Sequence, residues 1–162
     1  MELWDIYDKD RVFTGKTMVR GERIKEGDNH IVVHACIFNS CGQMLIQHRQ
    51  SFKDCWADMW DLSAGGSAVA GDTSGTAIER ELMEEIGLEL DLKDTRPHLT
   101  INFNGGFDDI YLVCKDVDIS ALTLQYEEVQ AVRCADIDEI FEMIDNDTFV
   151  PYHKSLIQLL FS

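Results

Sequence analysis

Proline is nearly absent, with two residues in 162, and there is no Ser-rich or low-complexity tract and no internal repeat. Flexible linkers and multi-module arrays are therefore excluded. Cysteines are few and badly placed for structural work: Cys36, Cys41, Cys55, Cys114 and Cys134 are odd in number and contain no CxxC pair. That argues against a disulfide framework or structural zinc and fits a reducing cytosol. Cations are scarce, 14 Lys and Arg against 30 acids, a formal charge of -16. Nucleic acids and anionic membranes reward basic patches, so neither is the expected main partner. No apolar run approaches the roughly 20 residues that span a bilayer. The opening Met1-Glu2-Leu3-Trp4-Asp5 has none of the layout of a signal peptide. A cytoplasmic chain is expected.

What remains is the composition of an ordinary globular protein, 45% hydrophobic and 27% charged. A chain of this length suits one domain and buries roughly two thirds of its unfolded surface without staples. Segments 2–7 and 11–17 read as a hairpin around Asp8-Lys9-Asp10, and 18–29 as an irregular connection. His-Ile-Val-Val-His-Ala-Cys-Ile-Phe, 30–38, is β-branched and aromatic; it turns at Asn39-Ser40-Cys41-Gly42 and returns as a strand over 43–49. Residues 50–62 lack a period and lead into a short strand at 60–64. Further strands are expected near 98–103, 110–115 and 128–134. Helices are expected at 136–145 and 152–160, the last behind Pro151. Such a mixture indicates an α/β or α+β domain.

The informative segment is 65–88. Gly65 to Asp72 is a run of small residues, through which backbone can approach a metal or a phosphate. A helix over 73–86 follows, capped by Thr73 or Ser74 and closed by Gly87. Glu81, Glu84 and Glu85 stand at i, i+3 and i+4, so they share a face, while Ile78, Leu82 and Ile86 form a separate apolar row. Like charges four apart repel by about 0.2–0.5 kcal/mol, and the helix C-terminal end is itself partially negative. Arg80 is the sole cation between Lys53 and Lys93, against seven carboxylates from Asp72 to Asp91. An acidic face in water is the ordinary reading of such a run. A hard divalent cation, Mg2+ or Mn2+, is the alternative that relieves the repulsion.

The segment resembles the box of the Nudix hydrolase superfamily, G-x5-E-x7-R-E-U-x-E-E-x-G-U, with U a bulky aliphatic residue. Gly66 opens it, Asp72 stands at the first acid in place of Glu, and Arg80-Glu81-Leu82-Met83-Glu84-Glu85-Ile86-Gly87-Leu88 fills the rest. Around the box the chain is similar to the isopentenyl diphosphate isomerase-like branch. The resemblance implies a Nudix α/β/α sandwich with a mixed central sheet and an N-terminal β-hairpin. It implies one domain over 1–162, with 1–28 as hairpin and connection and 29–162 as core. The implied activity is metal-dependent hydrolysis of a diphosphate linkage in a nucleoside diphosphate derivative or similar small molecule.

The resemblance also implies roles. Glu84 and Glu85 would be the principal metal ligands. Glu81 would be a further ligand or the base that activates water, and Arg80 would orient the glutamates. The Gly65 carbonyl would complete the coordination; Gly66, Asp72 and Gly87 would shape the loop and the helix end. A carboxylate from outside the box is common in the family. Glu127 and Glu128 are candidates, as are Asp108 and Asp109 in Asn104-Gly105-Gly106-Phe107-Asp108-Asp109, ahead of the 110–115 strand.

Two other readings stand beside the hydrolase. An isomerase would need a cysteine and a histidine where this chain has Gly65 and Ser67. A silent nucleotide-binding module would be expected to lose box glutamates, which are retained here. His30 and His34 share a strand face and are read as a structural pair rather than a metal site. Trp4, Tyr7, Trp56, Trp60, Phe103 and Phe107 are candidates for stacking on a base, though aromatic rings more often fill cores. The hairpin is left two roles, a contact in a homodimer or a cover over the pocket.

Overall fold

The computed structural model describes residues 1–162. It contains nine strands and three α-helices in a mixed α+β arrangement. The chain divides into two compact units: residues 1–34, 65–81 and 90–111 form one, and 35–64, 82–89 and 112–162 the other.

In the first unit, β1 (Leu3–Tyr7) and β2 (Phe13–Val19) pair antiparallel as the N-terminal hairpin. The second strand reaches Val19, into the segment read from sequence as irregular, because Val19 and Met18 pair with Leu3 and Trp4. β3 (His30–Phe38) and α1 (Ser74–Ile86) begin here, and β6 (Ala64–Ser67) lies here from Gly65 onward. Thr73 caps the helix: its Oγ1 accepts from Thr76 N at 3.1 Å, and Thr76 Oγ1 accepts from Thr73 N at 2.9 Å. The expected apolar row is the buried face, with Ala77 and Ile78 both fully buried. β7 (Leu99–Phe103) and β8 (Gly106–Cys114) form a second hairpin around Asn104-Gly105. β8 therefore starts four residues earlier than the sequence suggests, and Asp108 and Asp109 lie inside a strand instead of a surface loop. The cause is local: Asn-Gly makes a two-residue turn, with Gly105 at φ +101°, so Gly106 already pairs with Phe103.

The second unit holds the end of β3 against β4 (Met44–Arg49), with β5 (Trp60–Asp61) and β9 (Val129–Ala135) antiparallel to β4. Strand order across the seven-stranded sheet is β5-β4-β3-β8-β7, with β6 on β3 and β9 on β4. The strand expected at 60–64 stops after Asp61. The Ser63 hydroxyl donates to Leu45 O and accepts from Ile37 N, doing with a side chain what a ladder would do with backbone. The small-residue run that follows is strand at its start, β6, rather than loop throughout. α1 ends in this unit, where Leu82 and Ile86 are fully buried. Gly87, at φ +68°, takes the left-handed conformation that lets its N–H and that of Leu88 turn back to Met83 O and Leu82 O. α2 (Ile137–Asp145) opens with a capping box between Asp136 and Glu139. α3 (Lys154–Phe161) begins two residues later than expected. Tyr152 is held outside it, with its hydroxyl donating to Asp61 at 2.7 Å.

None of the five cysteines forms a disulfide. No helix is long and apolar enough to cross a membrane.

Candidate active site

Two adjacent glycines on β6 set the geometry in the first unit. A Cβ on Gly66 would lie 2.3 Å from Glu81 Oε1, so the carboxylate occupies the space a side chain would need. A Cβ on Gly65 would lie 2.4 Å from His34 Cδ2, so the imidazole rests on that backbone. Glu81 is held on α1 by Arg80, whose Nη1 donates to Oε1 at 2.9 Å. The same guanidinium donates from Nη2 to Asp72 at 3.1 Å and to Ser67 O at 3.1 Å. Asp72 in turn accepts from Val69 N at 3.1 Å. One arginine thus ties the turn to Glu81 on the helix. Burial opposes its charge, yet Glu81 and Asp72 hold its pKa above the ordinary arginine value. Aspartate is long enough for this tie, which is the work expected of the first acid of the box.

In the second unit α1 carries Glu84, exposed, and Glu85, only 6% exposed. Glu85 Oε2 accepts from Gln47 Nε2 at 2.8 Å, and Gln47 also donates to Ser63 O at 3.1 Å. The Glu85 carbonyl accepts from Gln125 N at 2.9 Å. Asp61 stands directly opposite Gln47, and Arg49 Nη1 reaches Asp61 at 3.6 Å. Gln47, Arg49 and Asp61 therefore lie on one face of the strands. Arg49 Nε is buried without a hydrogen-bond partner. No basic residue stands in the last turn of α1.

The remaining candidates are dispersed. Asp108 Oδ1 meets His34 Nδ1 at 2.7 Å. Asp109 is fully buried with Arg11 and Thr100. Glu128 pairs with Lys53 Nζ at 2.5 Å, and Glu127 is exposed. His30, beside Trp4 at 4.2 Å and 6° between planes, is buried, and burial pushes its pKa below the ordinary histidine value. Phe107 is buried under Arg11, and Trp60 stacks on His48 and has the Arg133 guanidinium over its ring. Those two rings are occupied by the fold. Gln47 and Arg49 were not singled out from sequence. The signal was there, since a glutamine inside Met-Leu-Ile-Gln-His-Arg is a polar group on a strand whose neighbours are buried.

As the side chains lie, no three His, Cys, Asp or Glu groups are gathered closely enough to hold a metal ion. Glu81 is turned to Arg80 and Glu85 to Gln47. The donor chemistry still fits a hard divalent cation: three carboxylates at i, i+3 and i+4 of one helix, and glycine backbone in the place where a side chain would obstruct approach.

Comparison with known proteins gives a consistent picture. The family model described as the NUDIX domain matches residues 28–160. A Nudix hydrolase of Listeria monocytogenes is 47% identical over 152 residues, covering 94% of this chain and 90% of that protein. A crystal structure from Deinococcus radiodurans superposes with a TM-score of 0.78 at 21% identity, covering 98% of this chain and 97% of that one. A bifunctional NMN adenylyltransferase/ADP ribose pyrophosphatase of Francisella tularensis, complexed with AMP and a manganese ion, gives a TM-score of 0.59 at 20% identity. It covers 82% of this chain and 41% of that one.

Proposed function

This chain belongs to the Nudix family, hydrolases that act on pyrophosphate bonds, and from that membership we propose metal-dependent hydrolysis of a diphosphate linkage in a nucleoside diphosphate derivative or similar small molecule. The matched segment runs through both compact units, so we take the chain to work as one domain. The family generally uses divalent metal ions; we assign Mg2+ or Mn2+ here.

One observation carries the reading. Glu85 is a nearly buried carboxylate, 6% exposed, in the last turn of an acidic helix with no basic residue in that turn. Burying a charge is costly, and a second negative end beside it makes the position worse. A bound cation offsets both. We assign Glu84 and Glu85 as the principal ligands and Glu81 as a further ligand or the base. A divalent ion supplies charge neutralisation on the phosphate oxygens and Lewis acidity toward water. The chain's own work is to orient the parts. Gln47 fixes Glu85 and Arg80 fixes Glu81, which as the base would take the proton from the attacking water. Arg49 offers positive charge to a phosphate on the Gln47 face. Asp109, sealed against Arg11, is given no ligand role; Asp108 is held by His34 and Glu128 by Lys53.

The test is a panel of nucleoside diphosphate derivatives, dinucleotides and prenyl diphosphates, with products identified and Mg2+, Mn2+ or chelator present. Cleavage into two phosphate-terminated products, abolished by chelator, supports the proposal. Undiminished turnover in chelator contradicts it.

Gly66→Ala is a narrower check. A methyl 2.3 Å from Glu81 Oε1 must push the carboxylate aside. The far end of a glutamate moves easily, so stability should fall by no more than about 1 kcal/mol. Turnover should drop at least about tenfold, about 1.4 kcal/mol of barrier. Steady-state kinetics beside a thermal melt separate the two effects.

A further inference from the structure

We propose that Asp5 is a positioning residue for the reaction: from the N-terminal hairpin it holds the turn that carries Asp72, and through Asp72 and Arg80 it sets the Glu81 carboxylate. This rests on the hydrolase reading above. The backbone amides of the turn show where the hold is applied. Val69 to Asp72 close a β-turn in which Asp72 N donates to Val69 O at 3.0 Å, with Gly71 in its third position at φ +91°. Val69 N donates to the Asp72 carboxylate at 3.1 Å. The two central amides have no acceptor inside the turn, and β1 takes both. Ala70 N donates to Leu3 O at 2.7 Å, and Gly71 N donates to Asp5 Oδ2 at 2.8 Å. Every amide of the turn is thereby accounted for.

Asp5 is only partly buried and its bond to Gly71 is exposed to solvent, so little stability rests on it. What rests on it is orientation. Asp72 Oδ2 accepts from Val69 N and also from Arg80 Nη2 at 3.1 Å, and Arg80 Nη1 donates to Glu81 Oε1 at 2.9 Å. A turn that swings on Gly71 moves the carboxylate that anchors the guanidinium, and the guanidinium moves Glu81. A displacement of about 1 Å at a reacting group can cost about a hundredfold in rate. The hairpin is shaped to deliver Asp5 to this place. Its register shifts between Asp5, which faces Thr17, and Tyr7, which faces Phe13. Such bulges re-aim side chains. The strand is clamped on both sides of the shift, by Ala70 at Leu3 and by Asn29, which exchanges two backbone hydrogen bonds with Tyr7. Burial and then Asp5 push the Tyr7 pKa up, and Asp72 adds to the shift, so both carboxylates lie near one phenol. All of these residues belong to the first compact unit.

The experiment compares Asp5→Ala and Asp5→Asn with the wild type by steady-state kinetics on the best substrate of the panel, thermal melting and NMR. Asp5→Ala should lower kcat at least about tenfold. KM should stay within about twofold, because Asp5 touches no substrate, and Tm should fall by no more than about 4 °C. The Gly71 amide should exchange at least about tenfold faster. The resonance of the Arg80 Nε–H, which points at Asp72 Oδ2 at 3.4 Å, should shift. Asparagine keeps an acceptor oxygen, so Asp5→Asn should recover most of the turnover and the slow exchange. In an Asp72→Ala background the tie to Arg80 is already cut, and Asp5→Ala should add less than about twofold. Should Asp5→Ala melt early, Asp5→Val, which suits a strand and offers no acceptor, carries the comparison. Unchanged kcat, unchanged Gly71 exchange, or an equal loss with and without Asp72 overturns the proposal. A wild type without turnover on the panel overturns the hydrolase reading; the Gly71 and Arg80 signals then decide whether Asp5 sets the turn. Wild-type turnover indifferent to Asp5 does the reverse.

Discussion

Replacing Glu85 by glutamine is expected to lower kcat by about a thousandfold, equivalent to about 4 kcal/mol of transition-state stabilisation. The substitution removes one charge and almost no volume. Gln47 Nε2 donates to Glu85 now and can donate equally well to an amide oxygen, so the buried hydrogen bond survives. The thermal midpoint should therefore stay near the wild type or rise, because a buried carboxylate in an acidic last turn is itself unfavourable. Loss of turnover with an intact fold is the signature of a charge needed by a cation. Steady-state kinetics with the best substrate of the panel reads the first quantity, and calorimetric melting the second. A variant that keeps more than a tenth of the turnover would remove Glu85 from the machinery. One that loses turnover and fold together would make it a structural residue.

Replacing Arg11 by methionine is expected to cost about 3 kcal/mol of stability, the scale for removing one partner of a buried ion pair. Asp109 is fully buried, while the Arg11 side chain is 34% exposed. Arg11 donates to both Asp109 oxygens, one at 2.8 Å, and Thr100 Oγ1 donates at 2.6 Å. Burial pushes the Asp109 pKa up, but hydrogen bonds from Arg11, Ser74 and Thr100 overcome it and hold the group below the usual carboxylate range. Methionine keeps the stem over Phe107 and leaves the carboxylate uncompensated. A loss of about 3 kcal/mol corresponds to about 6–12 °C in Tm for a domain of this size. The pH dependence has a definite sign. Because the folded pKa is depressed, the stabilisation is complete above the unfolded carboxylate value and vanishes as pH falls through the folded one. The gap between wild type and variant should close over that acidic window. Arg11→Met with Asp109→Asn should recover part of the loss. A Tm unchanged by Arg11→Met, or a gap that widens in acid, contradicts this account.

The legible parts of the chain were those where one local rule decided the outcome. α1 was readable at both ends because Thr73 can cap and Gly87 can take positive φ, and the Ile78, Leu82 and Ile86 row fixed its buried face. β3 was readable because its β-branched and aromatic run has no competing turn signal. Asp108 and Asp109 lie inside β8 rather than ahead of it because Asn104-Gly105 makes a two-residue turn and Gly106 already pairs with Phe103. The early end of β5 was not readable, since it depends on the Ser63 hydroxyl meeting two strands distant in sequence. Pairings of the same kind, Gln47 with Glu85, Arg11 with Asp109 and Asp5 with Gly71, join residues 38, 98 and 66 positions apart. No local pattern encodes such partners; they exist only once the sheet has formed. The stacking candidates named from sequence illustrate the same limit. Trp60 and Phe107 are taken up by neighbouring cations, while Trp56 and Phe103 stay exposed.

The central claim is that the α1 glutamates hold a divalent cation, and Mn2+ titration followed by electron paramagnetic resonance tests it without depending on any substrate. The wild type should take up Mn2+ saturably, with Mg2+ competing, and Glu85→Gln should weaken uptake by about 10–100-fold. Binding that is absent, or that is indifferent to Glu85, would contradict it.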